Sequence, residues 1–98
     1  MVTAVSVGAL TLEIQIEDSH SLKDKRHVVR GLKDRLRHRF NVSVAEIGSQ
    51  DLWQHAVIAA VTVSGDREYA EQLLQAVEKE AENFLGGALV STGVEWLT

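Results

Sequence analysis

Leu10, Leu12, Ile14 and Ile16 alternate with Thr11, Glu13, Gln15 and Glu17. An apolar residue at every second position is the signature of a strand with one buried face. Immediately afterwards the period changes. Leu22, Val29, Leu32, Leu36 and Phe40 fall seven, three, four and four residues apart, which predicts a helix over roughly 22–39. Ser19-His20-Ser21 separates the two patterns, and Ser21 with Asp24 makes a capping box with Asp in place of Glu or Gln. A half-buried strand running straight into an amphipathic helix commits the chain to a helix-on-sheet architecture.

The remainder extends that architecture. Val5, Val7 and Ala9 are apolar in the opposite phase to the run that follows, with Gly8 at the switch, so a bulge or bend is expected there. Gly31 interrupts the helix at a cost of about 1 kcal/mol relative to Ala, for which close packing against the sheet is the expected reason. Asn41 stops the helix, Val42 to Ile47 reads as a short strand, and Gly48-Ser49-Gln50-Asp51 as a turn. Ala56 to Val63 is apolar on both faces, as a central strand would be. Ser64-Gly65-Asp66 opens a second helix whose buried stripe is Ala70, Leu73, Leu74, Val77, Ala81 and Phe84. Gly86-Gly87 is expected to end it in the left-handed manner, and Leu89 to Leu97 forms the last strand. The order β-α-β-β-α-β with right-handed crossovers gives an α+β, ferredoxin-like domain over 1–98. It has a four-stranded antiparallel sheet in the order 4-1-3-2 with both helices on one face.

Such a sheet has a second, bare face. Thr11, Glu13 and Gln15 are expected on it from the first strand, and Ile58, Ala60 and Thr62 from the third. Half-apolar central strands fit a covered surface better than a solvated one, so a homo-oligomer formed through this face is expected. Thr11, Glu13 and Ile58 are its candidate contacts. Trp53, in the turn Gln50-Asp51-Leu52-Trp53-Gln54, either folds back over the sheet edge or anchors an interface, as does Trp96.

Charge is distributed very unevenly. Eight of the ten Lys and Arg residues lie between Lys23 and Arg39, opposed only by Asp24 and Asp34, while the rest of the chain carries twelve carboxylates and two cations. At about 100° per residue, Arg26, Arg30, Lys33 and Arg37 form one ridge beside the buried stripe, and Lys23 extends it. Like charges one turn apart repel, so stability alone does not choose the pattern. A polyanion such as RNA or a ribosomal subunit would relieve the repulsion. The second helix is acidic, however, so pairing within the chain or between copies is a rival reading. Lys25 and Arg39 lie nearer the apolar side, where they either snorkel or pair with Glu46 or with acids of the second helix.

Several chemistries lose support. Absence of cysteine removes disulfides and thiolate metal sites, and His20, His27, His38 and His55 show no metal-ligand spacing, so no metal or cofactor is expected. Neither central strand carries an aromatic residue, which argues against base stacking on the sheet. Asp18, Ser19 and His20 are adjacent in sequence, but adjacency is not the geometry of a triad, and a local turn network is expected instead. An enzyme built on Asp18, His20 and Asp51 has no motif behind it, and the loop 17–21 lacks the glycines of an acylphosphatase. Met1 to Val7 has neither part of a signal peptide, and no run of about 18 apolar residues exists, so no membrane association is expected.

Three runs carry a family resemblance: Ser19-His20-Ser21-Leu22-Lys23-Asp24-Lys25-Arg26, Arg39-Phe40-Asn41-Val42-Ser43-Val44-Ala45-Glu46 and Gln50-Asp51-Leu52-Trp53-Gln54. In this order they resemble the YlxP-like family of small bacterial proteins, with Asp24 where Glu is common. The resemblance implies a ferredoxin-like fold, a cytoplasmic bacterial protein and a gene neighbourhood of translation-initiation and ribosome-maturation factors. It assigns no catalytic residues. Composition and resemblance together lead to the expectation of a non-enzymatic binding protein that meets RNA or a ribosomal particle through the basic helix.

Overall fold

A computed structural model describes residues 4–98; residues 1–3, the start of the Met1–Val7 segment, lie outside it. The elements are β1 (Ser6–Gln15), α1 (Leu22–Arg39), β2 (Ser43–Gly48), β3 (His55–Ser64), α2 (Arg67–Leu85), a 3₁₀ turn (Gly86–Ala88) and β4 (Leu89–Trp96). The strands form one antiparallel sheet in the order β2-β3-β1-β4, the expected ferredoxin-like topology. No described helix is long and apolar enough to cross a membrane.

The period-two run does what alternation dictates. Leu10, Leu12 and Ile14 are fully buried beneath the helices, against Val29, Leu32 and Leu36 of α1 and Leu74, Val77 and Ala81 of α2. Ser21 caps α1, its hydroxyl accepting from the Asp24 N–H at 3.1 Å. The Asp24 carboxylate reaches one residue past the cap and accepts from the His20 N–H at 3.0 Å. Asp66 caps α2 in the same manner through the Tyr69 N–H.

Four expectations are corrected. The third strand turns Ala56, Ile58, Ala60 and Thr62 toward the helices, all buried, so Ile58, Ala60 and Thr62 are core residues and not open-face contacts. Register decides this: Leu10 pairs with Ala60, Leu12 with Ile58 and Ile14 with Ala56, and directly paired residues share a face. A strand apolar in both phases leaves its orientation to that pairing. Val57, Ala59, Val61 and Val63 therefore belong to the open face, beside Thr11 and Glu13, which lie there as expected.

Gly8 makes no bulge, since the β1–β3 register is unbroken from Ser6 to Gln15. A Cβ at Gly8 would stand 2.7 Å from the Trp96 ring and 2.9 Å from Leu74 Cδ1, so this glycine makes room for an aromatic side chain. Irregular pairing occurs instead at Glu13–Ile14 against β4 and at Glu46–Gly48 against β3. Gly31 faces α2, not the sheet: its Cβ would lie 3.1 Å from Phe84 Cζ. Finally, Gly86 takes φ 57° as a helix-ending glycine does, but its ψ of −131° lies outside the left-handed helical well and leads into the 3₁₀ turn.

Candidate functional site

The first helix sorts its cations into two populations. On one side, Arg35 Nε lies 2.6 Å and Arg39 Nη1 3.1 Å from the same Glu80 oxygen of α2. Of the two readings of Arg39, snorkelling or pairing with the acidic helix, the pairing is the one observed. On the other side, Arg26, Arg30, Lys33 and Arg37 have no carboxylate within 4 Å among the described residues. Together with Val29, Asp34 and Glu46 they line a groove of about 290 Å³. Arg37 is steadied there by donating from Nη2 to the Val44 carbonyl of edge strand β2 at 2.9 Å. Lys23 is exposed at the start of the helix and does not line the groove.

Glu46 contributes little negative charge to the groove, because Lys25 answers it from below. Lys25 occupies the buried stripe of α1 with Val29, Leu32 and Leu36, and is only 1% exposed. Its ammonium lies 2.9 Å from Glu46 Oε2 and donates to the carbonyls of Ser49 at 2.7 Å, Gln50 at 3.2 Å and His55 at 3.3 Å. An ammonium has three protons. All three are spent on carbonyls, so the Glu46 contact is a charge pair without hydrogen-bond geometry and Oε2 has no donor of its own. Of the two alternatives for Lys25, pairing with Glu46 is the one realised. The sequence signal was its place in the helical stripe.

These three carbonyls belong to the β2–β3 connection, so Lys25 fixes the shape of that loop from inside. On the sheet's open side the same loop presents a chain of polar side chains. Ser49 Oγ lies 2.6 Å from His55 Nδ1, and His55 Nε2 lies 2.8 Å from Glu13 Oε2. Glu13 lies on β1 diagonally from His55, whose direct partner is Gln15. Ser49 has φ 61° and is the one described non-glycine residue with positive φ. A cavity of about 530 Å³ opens beside this chain, lined by Gln15, Asp51, Leu52, Trp53, Gln54 and His55. Trp53 does not fold back; it is 55% exposed, and Leu52 is 52% exposed.

Sequence reading missed the Ser49–His55–Glu13 chain, because strand register and the loop path bring its members together. The grouping considered instead, Asp18 with His20 and Asp51, is not assembled. Asp18 and Asp51 line different cavities and His20 lines neither. The Ser19 hydroxyl donates to the Ser21 carbonyl at 3.1 Å. Of the two histidines on α1, His38 contacts the Asp34 carbonyl through Nδ1 at 2.8 Å, and His27 is exposed.

Fold and surface together define a small ferredoxin-like domain with a cationic helix and an uncovered sheet face. The family described as protein of unknown function (DUF503) matches residues 7–94, and the chain belongs to it. It is 37% identical over 90 residues to the uncharacterized protein YlxP of Bacillus subtilis (strain 168), an alignment covering 92% of this chain and 98% of the relative. Among solved structures it is similar to the de novo designed protein Foldit4, with a TM-score of 0.61 at 14% identity over 97% and 98% of the two chains. It is also similar to an ethyl tert-butyl ether d (ethd) family protein from Bacillus halodurans, with a TM-score of 0.55 at 17% identity over 92% and 96%. At these identities the structural likenesses concern the fold alone.

Proposed function

We propose that this protein binds the phosphate backbone of RNA, alone or within a ribosomal particle, through the groove between α1 and β2. One observation carries the reading. Arg35 and Arg39 share the Glu80 carboxylate, while Arg26, Arg30, Lys33 and Arg37 line a common groove without a carboxylate partner. Leaving four cations side by side and unpaired costs stability, and a row of phosphates removes that cost. Guanidinium groups suit phosphate because they donate in a planar fork. Contacts of this kind position a backbone and carry little sequence preference.

Co-sedimentation with ribosomal subunits and with total RNA, at low and moderate salt, tests the proposal. The triple variant Arg26→Glu/Arg30→Glu/Lys33→Glu leaves the Arg37 bond to β2 intact. Binding by the wild type, weakened by salt and abolished in the folded triple variant, is the expected result. Equal sedimentation of both proteins would sink it.

A second reading, association between copies of the chain, draws on the open face. Val57, Ala59 and Val61 are only partly covered, Val63 is 57% exposed, and Leu52 and Trp53 extend the apolar surface at one corner. Apolar contact survives salt, whereas pairing of basic and acidic helices between copies does not. A molecular mass above one chain that holds at high salt would favour association through the sheet; a mass that falls would favour helix pairing.

A further inference from the structure

We propose that Ser49, His55 and Glu13 form an acyl-transfer site that hydrolyses neutral esters bearing an apolar or aromatic group. The three side chains already make the two hydrogen bonds such chemistry needs: nucleophile to base at 2.6 Å and base to carboxylate at 2.8 Å. A carboxylate oxygen only accepts, so it holds the imidazole proton on Nε2. Nδ1 is then the free acceptor that faces the Ser49 hydroxyl. The ring is used the other way round from the common serine-hydrolase arrangement, but the roles are the same.

The supporting structure resembles that of a held nucleophile. Ser49 adopts φ 61°, a conformation that costs an L-residue energy and persists only where its surroundings impose it. The turn is held from two sides: Lys25 binds the main-chain carbonyls of Ser49 and His55 from the buried side, and the Ser49 carbonyl also accepts from the Leu52 N–H at 3.1 Å. The adjoining cavity, which His55 lines while Ser49 and Glu13 stand beside it, has room for a small ester. Leu52 and Trp53 give it apolar walls, and Asp51 disfavours an anionic substrate.

In the first step Ser49 Oγ bonds to the ester carbonyl carbon and its proton passes to His55 Nδ1. Glu13 steadies the resulting imidazolium. Cleavage of the ester C–O bond releases the alcohol, which takes the proton from Nδ1 and leaves an acyl group on Ser49. Water then attacks the acyl carbon, gives its proton to Nδ1, and the carboxylic acid leaves as that proton returns to Ser49 Oγ. Ester and water become acid and alcohol, and the side chains are restored. Glu13 acts as a positioning residue, since it touches only the base.

The purified chain is treated with a fluorescent alkyl fluorophosphonate, and the adduct is located by peptide mass spectrometry. Hydrolysis of p-nitrophenyl butyrate is followed in parallel. Ser49→Gly is the informative nucleophile variant because glycine accepts the positive φ; His55→Gln and Glu13→Gln keep shape and remove the proton chemistry. The adduct is expected on Ser49, formed with loss of fluoride, and absent in Ser49→Gly. Ester hydrolysis is expected to fall about 100-fold or more in His55→Gln, and to fall in Glu13→Gln without loss of folding. A folded wild type that is not labelled overturns the proposal. So does labelling of Ser49 that His55→Gln leaves unchanged, or hydrolysis that Ser49→Gly leaves unchanged.

Discussion

Replacing Lys25 by Met keeps the length and apolar stem of the side chain and deletes only the ammonium. In the native protein that group is 1% exposed, pairs with Glu46 at 2.9 Å and donates to three carbonyls of the β2–β3 loop. Its loss leaves the Glu46 carboxylate, whose Oε2 is inaccessible to solvent, without its ion-pair partner and with no other cation within 4 Å among the described residues. Removing one member of a buried ion pair costs about 3–5 kcal/mol. Against a total stability of about 5–15 kcal/mol for a domain, this is a large share. For a domain near 100 residues each kcal/mol moves Tm by about 4–8 °C, so Tm should drop by more than about 10 °C. Urea unfolding followed by circular dichroism, with linear extrapolation, measures the change. The double variant Lys25→Met/Glu46→Leu should recover part of the loss, because the orphaned charge goes with its partner. A Lys25→Met protein within about 1 kcal/mol of wild type would refute the reasoning, and so would a double variant less stable than the single one.

Gly8→Ala places a methyl group 2.7 Å from the Trp96 ring, so it should cost about 1–3 kcal/mol and shift the tryptophan emission. Gly31→Ala should instead be neutral or stabilising by up to about 1 kcal/mol, since helix propensity improves and the Phe84 ring 3.1 Å away is 36% exposed and able to swing aside. A loss above about 1 kcal/mol in urea unfolding would show that the ring is fixed. Glu80→Gln frees Arg35 and Arg39. It should cost about 1–3 kcal/mol, because Glu80 is buried and accepts a charge-assisted hydrogen bond, and it should steepen the salt dependence of RNA binding by adding unpaired cations to α1.

Architecture was legible because each element wrote its own period. Strand β1 alternates over seven residues, α1 repeats at helical spacing, and capping residues mark both helix starts, so order and topology follow from local rules. What local rules do not encode is the facing of a strand that is apolar in both phases. The side of β3 on which Ile58 lies is therefore set by its pairing with Leu12 and not by the local pattern. Gly8 and Gly31 stand out in the sequence, but the reasons for them are the rings of Trp96 and Phe84, both remote along the chain. The ridge of Arg26, Arg30, Lys33 and Arg37 lies within one helix and could be read directly. The Ser49–His55–Glu13 chain draws on a loop and two strands, so it needed the register. Trp53 stood out for its exposure cost, and the structure leaves it exposed beside the one cluster the sequence did not reveal.

The cationic groove is tested most directly by the salt dependence of binding to a fluorescently labelled ribosomal-RNA fragment, followed by anisotropy. Four phosphate contacts predict a slope of log K against log salt of about −3 for a single strand and nearer −3.6 for a duplex. Arg30→Ala should make it shallower by about one unit. Absence of binding at low salt, or a slope that Arg30→Ala does not change, would contradict the account.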